Sequence, residues 1–407
     1  MKSHQNLFAK TVSLNNLAIA FEEASDGKHY RSSVLSFNHN LAHNLLRLQR
    51  ELVQKQYKTG KYKFFKIFDQ KERQISAAPF RDRVIHHAIY QVIEPIYDQK
   101  FIFDSFANRD QKGTHRAVNR LQHFLRKIER ERERERERES TLSNKDTIYC
   151  LKCDISKCFP SINHQILINL LKKTIKDPDL MWLIEKIIAS YQTGTEFDHL
   201  FSPDSPFLKF HPRGIPIGNL TSQIFVNILL DPLDQYVKHT LKVKYYIRYV
   251  DDFVLLAKDK KYLGQMKHEI QKFLREKLFL ELHPRKQTIA PVDRGIDFLG
   301  YIIFKKHLLL RKSNKLKFQK KLQVIKKSFL RAPEGSLKQA EILAYAISSI
   351  SAWLAHARHA KTKRLRKRIF GEDLTSKDKS KIEEFVKNWK KEENEVSKKE
   401  KIQLGLF

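Results

Sequence analysis

Two adjacent aspartates, Asp251 and Asp252, interrupt the stretch YYIRYVDDFVLLA, residues 245–257. The rest of that stretch is aromatic, β-branched and apolar, which is the pattern of a buried strand. An ionised carboxylate removed from water is costly unless it is paired or bound to a cation. YVDDF reads as strand, tight turn, strand, and this sets both carboxylates at a hairpin tip. Well upstream, KCDISKCFPSI carries Asp154 near the end of another strand. If the two strands are neighbours in one sheet, three carboxylates converge. Oxygen ligands of that kind suit hard cations such as Mg²⁺ and not zinc. Two such ions, roughly 3.5–4 Å apart, would activate a hydroxyl and stabilise a leaving pyrophosphate. Taken singly, a DD pair is an ordinary solvated turn and Asp154 an ordinary strand-end cap. Only the ordered set is informative.

The 407-residue chain carries a formal net charge of +32 and is 41% hydrophobic, so it is globular and long enough for two or three packed subdomains. The charge exceeds what solubility needs and implies a polyanionic partner. Nucleic acid fits best, because the cations are spread along the whole chain. A membrane is not expected as a partner: no apolar run reaches spanning length. The N-terminus has no signal-peptide pattern, and cysteine is scarce, which together suit a reducing cytoplasm. All three cysteines, Cys150, Cys153 and Cys158, fall in YCLKCDISKC. A zinc site would lack a fourth ligand there, so they read as structural residues beside a strand.

The elements that must position the carboxylates follow from periodicity. Residues 1–60 read as a helical extension, with NHNLAHNLLRLQRELVQ amphipathic. KYKFFKIFDQKERQISAAPF reads as a basic hairpin, and KGTHRAVNRLQHFLRKIER as a helix. That helix runs into the alternating ER repeat at 129–139, which places opposite charges at i,i+3 and like charges at i,i+4. It reads as an exposed helical extension or solvated loop, a tolerated insertion in preference to a docking arm. DTIYCLKCDIS is a strand, HPRGIPIGNLTSQIFVNILL a Gly/Pro-rich loop entering a helix, and QTIAPV and GIDFLGYIIF short strands. Everything beyond about residue 312 reads as helical and basic. The whole is an α+β organisation.

Six motifs in order make the sequence resemble a bacterial reverse transcriptase, over roughly residues 60–310. They are RQISAAPFRDRV, SFANRDQKGTHRA, DISKCF, YVDD, LHPRK and GIDFLGY. The resemblance implies a right-hand polymerase with fingers, a palm built on an antiparallel sheet, and a helical thumb. It implies fingers at 61–145 carrying the ER insertion, and a palm at 146–310 with fingers elements interleaved at 165–215. A thumb at 311–375 and a charged C-terminal helix at 376–407 would complete the chain. Asp154, Asp251 and Asp252, with the Ile155 backbone carbonyl, are then the ligands of two Mg²⁺, with Mn²⁺ able to substitute. Lys286 is the general acid toward pyrophosphate. Arg73 and, more weakly, Lys71 contact the triphosphate, and Phe159 gates the sugar against a 2′-hydroxyl. Arg109, Lys112, Gly300, Tyr301, Lys363, Arg364 and Arg366 bind the template–primer duplex. Trp353 and Leu354 lie on the packed side of a thumb helix, while His356 and His359 are packing or surface residues.

The loop GIPIGNLTSQ narrows the resemblance further. Most of that superfamily has Gln before the glycine and Pro after the serine; here Ile217 precedes Gly218, and Gln223 follows Ser222. The pattern is similar to that of diversity-generating retroelements, whose enzymes make cDNA altered at adenines. Ile217, Gly218 and Gln223 would shape the nucleotide pocket, with relaxed checking as the suggested consequence and a loop variant without effect as the plain one. Such enzymes imply dNTPs, an RNA template, a cDNA product, a structured non-coding RNA and a small basic accessory protein as partners. The oligomeric state is left open. No RNase H set, endonuclease cluster, integrase or maturase extension is recognised, so outside help is expected. Two rivals stand beside this reading: an antiviral defence reverse transcriptase on the same fold, and a catalytically idle RNA-binding scaffold. A retron-type enzyme lacks support, since the thumb VTG is missing.

Overall fold

A computed structural model of the chain describes residues 4–68, 72–138, 147–194 and 212–403. The chain divides into two compact units, Met1–Ala117 with Thr147–Ala290, and Val118–Asp146 with Pro291–Phe407.

The first unit opens with four helices, α1 (Leu7–Thr11), α2 (Leu14–Ser25), α3 (Ser32–His39) and α4 (Leu41–Val53). Helix α4 buries Leu45, Leu48 and Leu52, spaced to line one helical face. The hairpin expected from KYKFFKIF forms as β1 (Lys63–Phe68) and β2 (Glu72–Ala77), antiparallel, with Phe65 opposite Ile75. Helix α5 (Phe80–Asp98) follows, and α2 packs on it: Phe21 meets the edge of Phe80 at 5.9 Å, and Asn16 donates to the Ala88 carbonyl. Helix α6 (Thr114–Arg138) begins in this unit and continues into the other. It carries the ER repeat as helix as far as Arg138; Glu139 lies outside the described residues.

The centre of the first unit is an antiparallel sheet. In chain order come β3 (Tyr149–Asp154), α7 (Cys158–Ser161), α8 (His164–Thr174), α9 (Pro178–Ala189), α10 (Leu220–Gln235), β4 (Tyr245–Tyr249), β5 (Asp252–Ala257), α11 (Lys260–Phe273) and β6 (Thr288–Pro291). The strand order is β4-β5-β3-β6. Strands β4 and β5 are buried along most of their length, which is why they read as continuous apolar runs and not as alternating ones. Helix α11 packs on β3 and β5, and α10 is buried on nearly every side. All three cysteines are buried and reduced; burial pushes the Cys150 and Cys153 thiols up to about 12, the condition of inert core residues.

In the second unit, β7 (Ile296–Phe298), β8 (Tyr301–Ile303) and β9 (Leu308–Leu310) form a small antiparallel sheet. Four helices follow, α12 (Lys312–Arg331), α13 (Leu337–Ala357), α14 (Lys363–Phe370) and α15 (Lys379–Gln403). Phe298, Tyr301 and Ile303 are fully buried, and the division between the compact units falls after Ala290. Trp353 stacks on Phe318 with ring centroids 4.0 Å apart, and Leu354 is fully buried beside it. The charged C-terminal helix, drawn as a separate segment from 376, shares this core. Ile382, Phe385, Val386 and Trp389 make an apolar stripe on α15, and Trp389 meets the edge of Phe329 at 6.1 Å. Among the described residues, no helix is long and apolar enough to cross a membrane.

Emptying the Trp389 site removes a large buried aromatic. Trp389→Ala is expected to lower the stability of the second unit by about 3–5 kcal/mol, read as an earlier urea transition. An unchanged midpoint would mean that α15 contributes little to this core.

Candidate active site

Strands β3 and β5 are antiparallel with Asp154 opposite Asp252. Asp251 occupies the turn before β5, and its carbonyl accepts from the Ile155 amide at 3.0 Å, which extends the pairing beyond the last strand residues. On the other edge of β3, the Ser156 amide donates to the Glu281 carbonyl at 2.7 Å and the His283 amide to the Asp154 carbonyl at 2.7 Å. The N–H and carbonyl of one extended residue point to the same edge. The Ile155 carbonyl therefore lies on the Asp251 side, where it was wanted as a ligand. The 281–286 segment delivers Lys286, whose Nζ reaches Asp154 Oδ2 at 2.5 Å.

Asp154 is buried, and Asp251 and Asp252 are half-buried. Burial above all, and then the charges of Asp154 and Asp252, push the Asp251 carboxyl up to about 7, with Lys286 pulling the other way. The three carboxylates bring negative charge together, and the Lys286 ammonium meets it at Asp154. That charge and an all-oxygen donor set fit a divalent cation. Among the described residues, no three Asp, Glu, His or Cys side chains are already closed around one point. The carboxylates are gathered at the strand ends, with one Asp154 oxygen held by Lys286.

The turn itself is strained. Val250 has φ +54°, a left-handed conformation that a β-branched residue adopts at a cost of about 1–3 kcal/mol. Its carbonyl accepts from Arg248 Nη1 at 3.0 Å, and Arg248 is fully buried against Asp234.

The GIPIGN loop lies along two other candidate elements. The Gly214 amide donates to the Ile162 carbonyl at 2.7 Å and the Ile215 amide to the Phe159 carbonyl at 3.1 Å, so the loop runs beside DISKCF. The Ser76 amide of β2 donates to the Ile217 carbonyl at 3.0 Å. Gly218 has φ +122°, and a Cβ there would sit 3.0 Å from Ile75 Cγ2, so both backbone and space call for glycine. Asn219 donates to the Tyr62 hydroxyl at 3.2 Å, which pairs with Ser190 Oγ at 3.0 Å. Gln223 is half-buried in the first turn of α10.

The structure thus brings together Asp154, Ile155, Asp251, Asp252 and Lys286 on one side, and Phe159, Ile217 and Gly218 along one loop. Lys71 lies outside the described residues; Arg73 is opposite Ile67 in the hairpin, and its side chain is likewise not described. Three expected duplex contacts are corrected. Arg109 is internal: it bonds the Asp98 carboxylate at 2.5 Å and the carbonyls of Asp98, Ile102 and Ser105, which leaves its fork no phosphate to meet. Tyr301 is fully buried, its hydroxyl on His356 Nδ1 at 2.8 Å, so its ring cannot touch a duplex. Arg366 braces the end of α14, bonding Asp373 at 2.9 Å and the Leu374 carbonyl at 3.2 Å. Lys363 and Arg364 are exposed on α14, and Lys112 Nζ sits 3.6 Å over the Phe103 ring. The Gly300 carbonyl accepts from the Arg311 amide at 3.0 Å. Sequence reading missed Arg248 and Asp234, although a cation inside the apolar run YYIRYV was itself the signal.

An antiparallel sheet with two acidic residues at a hairpin turn and a third on the adjoining strand is the palm of a nucleic-acid polymerase. Residues 58–303 match the family model of reverse transcriptase (RNA-dependent DNA polymerase), well over half of the chain, and the chain belongs to that family. It is similar to Protein YkfC of Escherichia coli, 24% identical over 58% of this chain and 64% of that protein. It is also similar to the group II intron-encoded protein LtrA of Lactococcus lactis, 24% identical over 61% of this chain and 47% of that protein. The chain therefore matches less than two thirds of the length of these relatives. Among solved structures, telomerase from Candida tropicalis aligns at 14% identity with a TM-score of 0.43, covering 63% of this chain and 55% of that one.

A carboxyl whose folded pKa is raised binds more protons folded than unfolded between the two values. The metal-free protein should therefore lose stability as pH rises from about 4 to about 7, the upper limit being the Asp251 value of about 7. Asp251→Asn should flatten this fall, measured as Tm in chelator from pH 5 to 8. Parallel curves for the two proteins would show that Asp251 titrates normally.

Proposed function

We propose that this chain is an RNA-directed DNA polymerase, extending a primer with dNTPs on an RNA template. The observation that carries the reading is the register of Asp154 with Asp252, with Asp251 in the adjoining turn, inside a reverse transcriptase match. Asp154, Asp251, Asp252 and the Ile155 carbonyl would hold two Mg²⁺, replaceable by Mn²⁺. Bound there, the metal supplies Lewis-acid activation of the primer 3′-hydroxyl and neutralises charge on the pyrophosphate. Lys286 would give a proton to that leaving group; its ion pair with Asp154, which keeps it beside the carboxylates, supports the reading. Phe159, beside the GIPIGN loop, is the residue to exclude a ribose 2′-hydroxyl, and Arg73 the residue to meet the triphosphate.

Ile217 supports a further reading, that nucleotide checking is relaxed and that the enzyme copies a dedicated RNA as in diversity-generating retroelements. The Ile217 carbonyl is held by β2, so the loop is fixed while its side chain offers the pocket no hydrogen bond. A structured non-coding RNA and a small basic accessory protein are the partners this reading adds.

Purified protein with its copurifying RNA, dNTPs and Mg²⁺ should extend a primer. Asp251→Ala with Asp252→Ala should reduce extension by about a thousandfold or more, and equal extension by this variant would sink the assignment. Sequencing the product separates the finer readings. cDNA altered at adenines of a repeat supports the retroelement role, with Ile217→Gln lowering the error rate. Repetitive or untemplated DNA would replace that role with antiviral defence.

A further inference from the structure

Arg248 lies inside β4, fully buried, two residues before the strained Val250. A guanidinium has five N–H donors in a rigid planar fork, and every nitrogen here has acceptors. Nε donates to Asp234 Oδ1 at 2.8 Å, and Nη2 to Asp234 Oδ2 at 2.6 Å and Ser105 Oγ at 3.2 Å. Nη1 is shared between Asn227 Oδ1 at 3.2 Å and the Val250 carbonyl at 3.0 Å. Asp234, also fully buried, accepts in addition from the Tyr246 hydroxyl at 2.7 Å. The Arg248 backbone is fixed as well: its amide donates to the Asp104 carbonyl and its carbonyl accepts from Phe106, both at 3.0 Å.

We infer that Arg248, oriented by Asp234, is a positioning residue that holds the Val250 carbonyl and so aims Asp251 and Asp252 at Asp154. A buried ion pair gives little stability that a well-packed apolar pair would not give. What the fork adds is direction. Two donors of one rigid plane, Nε and Nη2, are locked on Asp234, so the third nitrogen has no freedom in where it meets Val250. Val250 would not keep φ +54° unaided, and its carbonyl is the acceptor on which the turn is pinned. The geometry stands apart from the reaction; its consequence for catalysis rests on the polymerase reading above.

Arg248→Lys keeps a cation near Asp234 but has no planar fork to bridge Asp234 and Val250. Mn²⁺ affinity of the dNTP-free protein, titrated by electron paramagnetic resonance, is expected to fall by about tenfold or more. Affinity for an RNA–DNA duplex should stay at the wild-type value. Adding Val250→Gly, which adopts a positive φ without strain, should restore part of the Mn²⁺ affinity, a recovery that a general packing defect would not show. A folded Arg248→Lys protein that binds Mn²⁺ like wild type overturns the inference, as does a weakened one that Val250→Gly does not improve. Should Arg248→Lys fail to fold, Asp234→Asn keeps the shape of Asp234 and takes away one of the two oxygens on which the fork is locked. It should weaken Mn²⁺ binding by about threefold, and wild-type affinity in that variant is equally fatal. Primer extension by the wild-type protein is recorded alongside. A wild type that binds Mn²⁺ and extends nothing removes the polymerase reading while leaving the Arg248 result intact.

Discussion

Repulsion among Asp154, Asp251 and Asp252 sets the terms for the rest of the first unit. The three carboxylates meet where β3 and β5 end, in surroundings dry enough to push Asp251 up to about 7. Such a cluster persists only if the backbone beneath it cannot yield. A slip of one residue between β3 and β5 would turn Asp252 to the opposite face and dissolve the site. Strands β3, β4 and β5 are buried along most of their length, so the sheet that carries the cluster lies within the core. Core packing here is the support of the chemistry, and Lys286 offsets only part of the charge it gathers.

Helix α10 links the two halves of the site. Its first residues continue the GIPIGN loop, which is tied to β2 through Ser76 and to Tyr62 through Asn219. Near its other end, Asp234 accepts from Arg248, which donates to the Val250 carbonyl in the turn before Asp251 and Asp252. Helix α10 therefore touches both halves through its two ends, and Tyr62, with its hydroxyl on both Ser190 and Asn219, adds a second tie at the loop end.

Much of this was legible in the sequence, and for a physical reason. YVDD and DISKCF set carboxylates beside apolar runs, where they are costly without a partner, and it is their occurrence as an ordered set that makes them informative. The α15 stripe of Ile382, Phe385, Val386 and Trp389 was equally visible as an amphipathic helix. Its partner was not, because Phe329 and α13 are brought to it only by tertiary folding. Strands of three residues, such as β7 and β8, carry too little pattern to say which unit they join. Arg109, Tyr301 and Arg366 were read as nucleic-acid contacts from their place in motifs. Whether a side chain faces solvent or an internal acceptor depends on residues far away in the chain, and motif position does not record it.

Those corrections divide the cations by kind. Arg109, Arg248, Arg311 and Arg366 each bond internal carboxylates or carbonyls, the use for which a rigid fork is suited. Helix α12 instead exposes lysines, among them Lys312, Lys320 and Lys327. An ammonium is a hydrated point charge on a flexible stem and imposes little direction on its partner. A net charge of +32 counts both kinds alike, the internally bonded and the exposed. Lysines of this sort follow phosphates without reading base edges. Under the proposed activity that is an advantage, because a template and primer must advance one nucleotide at a time. A surface of bidentate contacts would favour one register and resist each step, whereas diffuse ammonium charge holds every register about equally.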